Sequence, residues 1–119
     1  MIVGLGTDIV EIERIVVAMR NPRFVYRILT PRELAMCRTP QCVSGRWAAK
    51  EAIAKAIGLP LTWQQVEVLP DETGAPKVTV ASRDFDPVRL RIHVSISHER
   101  THAVAVAVLE RLTMQAPHT

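Results

Sequence analysis

Asp8 and Glu51 are the residues of this chain best placed to do chemistry. Asp8 sits in Gly4-Leu5-Gly6-Thr7-Asp8-Ile9-Val10-Glu11-Ile12, and Glu51 in Gly45-Arg46-Trp47-Ala48-Ala49-Lys50-Glu51-Ala52. The first is a lone carboxylate at the end of an apolar strand. The second lies between cations on an alanine-rich helix. Separated carboxylates beside Arg and Lys are what a site needs to hold Mg²⁺ against a phosphorylated ligand. Each residue also has a plainer reading. Asp is a favoured helix N-cap, so Asp8 alone reads first as the cap of the helix after it. Glu51 alone reads as a surface partner of Lys55, a pair of little energetic weight. Against that stand Ala48, Ala49, Ala52, Ala54 and Ala56, which let another element approach closely. A partly buried carboxylate flanked by cations is a candidate ligand site.

Three further groups could serve such a site. On a helix, Trp47, Glu51 and Lys55 share one face at i, i+4, i+8, and Arg46 with Lys50 makes the neighbouring stripe. The corner Ser95-Ile96-Ser97-His98 reads as an ordinary turn or as polar lining at a strand end. Arg14, Arg20, Arg23 and Arg27, with Met19 and Phe24 among them, form a basic surface with apolar anchors. Such a surface suits an acidic protein partner, and equally reads as a solvated face.

The elements that must position these residues follow from pattern. Ile2 to Asp8 reads as a strand ending in a Gly-containing turn. Ile12, Ile15, Val16 and Met19 then recur at helical spacing, and Asn21-Pro22 stops that helix. Thr30-Pro31-Arg32-Glu33 carries a capping box with Pro at the first helical position. A third helix is expected from about Ser44 to Ile57, stopped by Gly58. Val66 and Val68, a turn at Asp71-Glu72-Thr73-Gly74, then Val78 and Val80 read as a hairpin. Leu90, Ile92, Val94 and Ile96 alternate in another strand. In Ala103 to Leu109 the alanines face one way and the valines the other, so both faces are apolar. Such a strand needs a cover on both faces, and in so small a chain one cover could be another subunit.

Bulk properties narrow the class. The 119 residues suffice for one domain with a modest core. Hydrophobic residues make up 48% and charged residues 23%, an ordinary globular balance. Aromatics at 4% argue against nucleic-acid binding by base stacking. No apolar run reaches membrane-spanning length, and Met1-Ile2-Val3-Gly4 lacks a basic signal-peptide region, so a cytoplasmic location is expected. Of the 15 cations only Lys50, Lys55 and Lys77 are lysines. Lys is a point charge suited to phosphate oxygens, and two of the three fall in the central helix. Cys37 and Cys42 lack the two further ligands a zinc site requires and read as reduced.

Three motifs together, the two above and His93-Val94-Ser95-Ile96-Ser97-His98, make the chain resemble the holo-[acyl-carrier-protein] synthase family, the small trimeric type of 4′-phosphopantetheinyl transferase. The resemblance runs from Met1 to about Leu112. It implies an α+β fold: a single compact domain (residues 1–112, with a tail at 113–119), an antiparallel sheet packed with helices, and active sites at subunit interfaces of a homotrimer. It implies transfer of 4′-phosphopantetheine from coenzyme A to a serine of apo-acyl-carrier protein, in support of fatty acid biosynthesis. Asp8 and Glu51 then correspond to the Mg²⁺ ligands, with Glu51 and Lys55 catalytic. Arg46, Lys50, Lys55 and His98 correspond to coenzyme A contacts. Arg14, Arg23, Phe24 and Arg27 correspond to the carrier-docking surface. Gly58-Leu59-Pro60 departs from the Gly-Thr-Gly of many members, and Gly74-Ala75-Pro76 from their Gly-Lys-Pro. Two rivals differ in kind: the same transfer to polyketide or peptide synthase carriers, and a non-catalytic module that docks an acidic protein. The second accounts for the arginines but leaves Asp8 and Glu51 without a role.

Overall fold

The computed structural model describes residues 1–113, so the expected tail lies outside the described residues except for Thr113. Strand β1 (Ile2–Glu11) pairs antiparallel with β5 (His102–Arg111), which pairs antiparallel with β4 (Leu90–His98), giving the order β1-β5-β4. A separate hairpin joins β2 (Val66–Pro70) and β3 (Pro76–Val80), as the alternating valines predict. Between β1 and the hairpin come α1 (Ile12–Ala18), α2 (Arg23–Ile28), α3 (Pro31–Leu34) and α4 (Pro40–Ile57), then a 3₁₀ turn at Trp63–Gln65. The expected α+β architecture is the one observed.

Helix α4 lies across the three-stranded sheet, and small residues make that possible. Ala103, Ala105 and Ala107 of β5 are fully buried, as are Ala48, Ala49 and Ala52 of α4. β1 comes closer still. A Cβ on Gly4 would stand 2.1 Å from the Ala56 carbonyl oxygen, and one on Gly6 only 2.0 Å from that of Ala52. Any side chain at either position would lift the strand off the helix. The other face of the sheet is open and apolar: Leu5, Ile9, Val104 and Val106 are all exposed.

Helix ends follow their chemistry. The Thr30 hydroxyl accepts from the Glu33 amide at 3.3 Å, and the Glu33 carboxylate accepts from the Thr30 amide at 2.8 Å, completing the expected capping box. The Thr39 hydroxyl caps α4 by accepting from the Cys42 amide at 3.2 Å, and Gly58 ends α4 in the left-handed region at φ 73°. Helix α4 therefore starts four residues before the expected Ser44, at its own Thr-Pro signal.

Three expectations are corrected. β1 does not turn at Asp8 but runs on to Glu11, which takes the N-cap position of α1, so Asp8 is a mid-strand residue and caps nothing. Pro22 does not simply end a helix; it stands at the N-cap position of α2, a helix that the periodicity did not reveal. Cys37 and Cys42 are not reduced: a disulfide joins them, with Cα atoms 5.5 Å apart, a usual spacing for such a bridge. The end of α3 and the first turn of α4 fold them together, which four intervening residues alone do not specify.

Candidate active site

Gly4, Gly6, Asp8 and Val10 alternate along the β1 face that meets α4, so the two glycines that press the strand onto the helix also deliver Asp8 to it. There the Lys55 ammonium donates to the Thr7 carbonyl at 2.9 Å and to Asp8 Oδ1 at 3.4 Å. Glu51 lies one turn earlier on α4. Asp8 and Glu51 both open into a cleft of about 340 Å³, bounded by Arg14, Phe24 and Trp47 with Val10, Ile15 and Ala18 as apolar wall. Trp47 is held by stacking on Trp63 at 4.4 Å between centroids and by a tilted contact with Phe24 at 5.7 Å. A larger groove of about 770 Å³ between α3 and the hairpin shares no residue with this cleft, and Arg32 and Glu67 pair within it at 3.3 Å.

The cleft suits a hard divalent cation. Its protein donors are carboxylate oxygens, and Asp8 already faces a positive charge. Among the described residues no group of three or more Asp, Glu, His or Cys converges anywhere. A metal held here would draw its remaining ligands from water and substrate, which is how Mg²⁺ is commonly bound beside phosphates.

Lys50 is not where the stripe on α4 suggests. Its side chain is 2% exposed, and its ammonium donates to Glu33 Oε1 at 2.6 Å, to the Ile28 carbonyl at 2.7 Å and to the Trp63 carbonyl at 3.0 Å. All three protons are engaged inside the protein, which leaves none for a phosphate and corrects the assignment of Lys50 to coenzyme A. Burial pushes the ammonium below its ordinary pKa, and its hydrogen bond to the Glu33 carboxylate pulls it back. Burial likewise lowers Arg46, opposed by Glu33; its Nε is buried without a protein partner, and Arg46 does not line the Asp8 cleft. His98 is exposed at the end of β4. It and Val10 both pair with Ala103, so β5 separates His98 from β1. Arg14 and Phe24 reach the cleft, while Arg23 and Arg27 are exposed on α2 beside it.

Two residues important to this arrangement escape the sequence reading. Glu33 is recognisable as half of a capping box, yet its second oxygen also accepts from the Val68 amide at 2.9 Å, which ties α3, α4 and β2 to one carboxylate. Gln64 carries no pattern at all, and its amide reaches three carbonyls at the end of α2.

Comparison with known proteins agrees with this architecture. The profile of the 4′-phosphopantetheinyl transferase superfamily matches residues 4–107. A holo-[acyl-carrier-protein] synthase of an Exiguobacterium species is 48% identical, covering 92% of this chain and 93% of that protein. That of Geobacillus kaustophilus is 47% identical over 98% of this chain and 95% of its own. The Bacillus anthracis holo-(acyl-carrier-protein) synthase in complex with CoA (3′,5′-ADP) superposes with a TM-score of 0.81 at 35% identity, covering 94% of this chain and 99% of that one. The Helicobacter pylori synthase in complex with coenzyme A gives a TM-score of 0.79 at 29% identity, over 89% and 99% of the two chains.

Proposed function

The chain belongs to the 4′-phosphopantetheinyl transferase superfamily, and from that premise we propose that it transfers the 4′-phosphopantetheine group of coenzyme A to a serine of apo-acyl-carrier protein. The observation that carries the reading is the cleft where Asp8 and Glu51 open beside Arg14 and Phe24, joining an anion-handling site to a basic docking surface.

The serine oxygen attacks the β-phosphorus of coenzyme A. The new oxygen–phosphorus bond forms as the bond to the adenosine-side bridging oxygen breaks, and adenosine 3′,5′-bisphosphate leaves. Glu51 takes the serine proton, since it is open to the cleft and a carboxylate there can act as general base. Asp8 and Glu51 would hold Mg²⁺, which when bound neutralises charge on the pyrophosphate. Lys55 has a side chain 55% exposed, so its flexible stem can carry its charge to the phosphate oxygens. Arg46 and His98, which do not line the Asp8 cleft of this chain, complete the coenzyme A contacts by their match to the family's motifs. The open apolar face of Leu5, Ile9, Val104 and Val106 supports assembly as a homotrimer. Arg14, Arg23, Phe24 and Arg27 receive the acidic carrier. Residues 1–112 form the catalytic unit, acting in the cytoplasm for fatty acid biosynthesis.

The test is intact mass. Apo-acyl-carrier protein mixed with this protein, coenzyme A and Mg²⁺ gains one phosphopantetheine, and EDTA abolishes the gain. Binding without any gain in mass would instead establish the docking-module reading.

A further inference from the structure

Helix α2 has six residues, too short to hold itself, and it carries Arg23, Phe24 and Arg27. Its C-terminal carbonyls have no helical partners of their own and must be satisfied from elsewhere. The Val25 carbonyl accepts from the Leu29 amide at 2.9 Å. The other carbonyls at this end are met by two side chains from distant sequence. Lys50 donates to Ile28 at 2.7 Å, and the Gln64 amide shares its two protons among Leu29 at 2.7 Å, Tyr26 at 3.0 Å and Arg27 at 3.3 Å. Both donors are tied to the cleft. Lys50 precedes Glu51 on α4, and Gln64 follows Trp63, whose ring stacks on Trp47 in the cleft wall.

We propose that Gln64 is a positioning residue for the acceptor: by clamping the end of α2, it fixes the height and angle at which Arg23, Phe24 and Arg27 present the carrier protein to Glu51. The proposal rests on the reading of α2 as part of the carrier-docking surface and deepens it. Lys50 anchors the same helix from inside, but it belongs to the core and cannot be removed without wider damage. Gln64 is exposed, and so are its bonds to the Tyr26 and Arg27 carbonyls, where water can replace it; the Leu29 carbonyl sits in a part-buried contact and loses more when Gln64 is removed. What changes is how well α2 is held, and its register on the Glu51 side is what a docked serine depends on.

Gln64→Ala removes the donors, leaves room for water at the exposed carbonyls and does not alter the charge of the docking surface. It should raise KM for apo-acyl-carrier protein roughly fivefold, the weight of about one lost hydrogen bond, leave KM for coenzyme A nearly unchanged, and lower the melting temperature by no more than about 5 °C. Amide exchange in residues 24–29 should quicken in the free variant, with no carrier present. In an Arg27→Ala background the same change should raise KM less than about twofold, because coupled residues are non-additive. Rises in KM for both substrates together with a melting temperature lowered by more than about 10 °C would overturn the proposal and leave Gln64 a structural residue. An unchanged carrier KM would overturn it too, provided Arg27→Ala alone raises that KM. If Arg27→Ala alone does nothing, the docking reading itself fails, and the proposal falls with it.

Discussion

Helix α4 carries two lysines five residues apart that meet carboxylates in opposite settings. Lys50 and Glu33 stand at 2.6 Å with side chains 2% and 0% exposed, while Lys55 and Asp8 stand at 3.4 Å with side chains 55% and 17% exposed. In the first pair the ammonium has all three protons placed, and both carboxylate oxygens accept hydrogen bonds. Such a node fixes geometry and has nothing left to offer a ligand. In the second, Asp8 has one loose partner and open lone pairs, and a solvent-facing pair of this kind contributes only about 0–1 kcal/mol. A charge left underused by its own fold is the one available to a substrate. Residue type does not separate the two lysines, and their stripes on α4 do not say which is spent inside the fold; saturation does.

The comparison can be broken from either side, and the open side should give the larger effect. Asp8→Ala or Glu51→Ala should lower kcat/KM by about a thousandfold or more, the loss expected for charge stabilisation of several kcal/mol. The melting curve should barely move, and EDTA should reproduce the loss in the unaltered protein. The closed side should show the reverse pattern. Lys50→Met leaves Glu33 buried and uncompensated and should destabilise the fold by about 3–5 kcal/mol in urea unfolding. Glu33→Gln added to it should restore part of that loss. Lys55→Ala sharpens the contrast: transfer should fall about tenfold to a hundredfold, with stability changed by less than about 1 kcal/mol. If Lys55→Ala unfolds the protein, the two lysines are alike after all.

A carboxylate outside both pairs gives the smallest effect. Glu99 is exposed, and bonds from the Thr101 hydroxyl and the Thr101 and His102 amides bring its pKa from 4.5 to about 2. A depressed folded value means stability that is present above pH 4.5 and lost as pH falls through about 2. Glu99→Gln should therefore flatten the acid limb of melting temperature against pH in that window and leave transfer at neutral pH alone.

Much of this was legible in the sequence, for local reasons. The hairpin, β4, β5, the capping box at Thr30 and the stop at Gly58 follow from alternation, caps and turn residues, which act over a few positions. Asp8 and Glu51 stand out only through their motifs, since each alone reads as a cap or a surface pair. The misses are long-range. The burial of Lys50 depends on Glu33, 17 residues away. Gln64 acts on carbonyls 35 to 38 residues upstream. Helix α2 is held by those partners and by little of its own, so its six residues leave no clear periodic trace. The cysteines meet because α3 ends where it does. Spacing reports neighbours along the chain and is silent on which distant side chain completes a bond.

Gly4 and Gly6 have a consequence for how this site can vary. The smallest possible addition, one methyl group at Gly6, already lies at 2.0 Å from a backbone oxygen, well inside the 3.4–4 Å of ordinary contact. No intermediate side chain exists through which the strand could be eased outward by degrees. The spacing between the two carboxylates is thus a digital quantity, inherited whole or lost. Laboratory evolution of this enzyme for new carriers should find its freedom on α1, α2 and the 3₁₀ turn, and leave these two positions untouched.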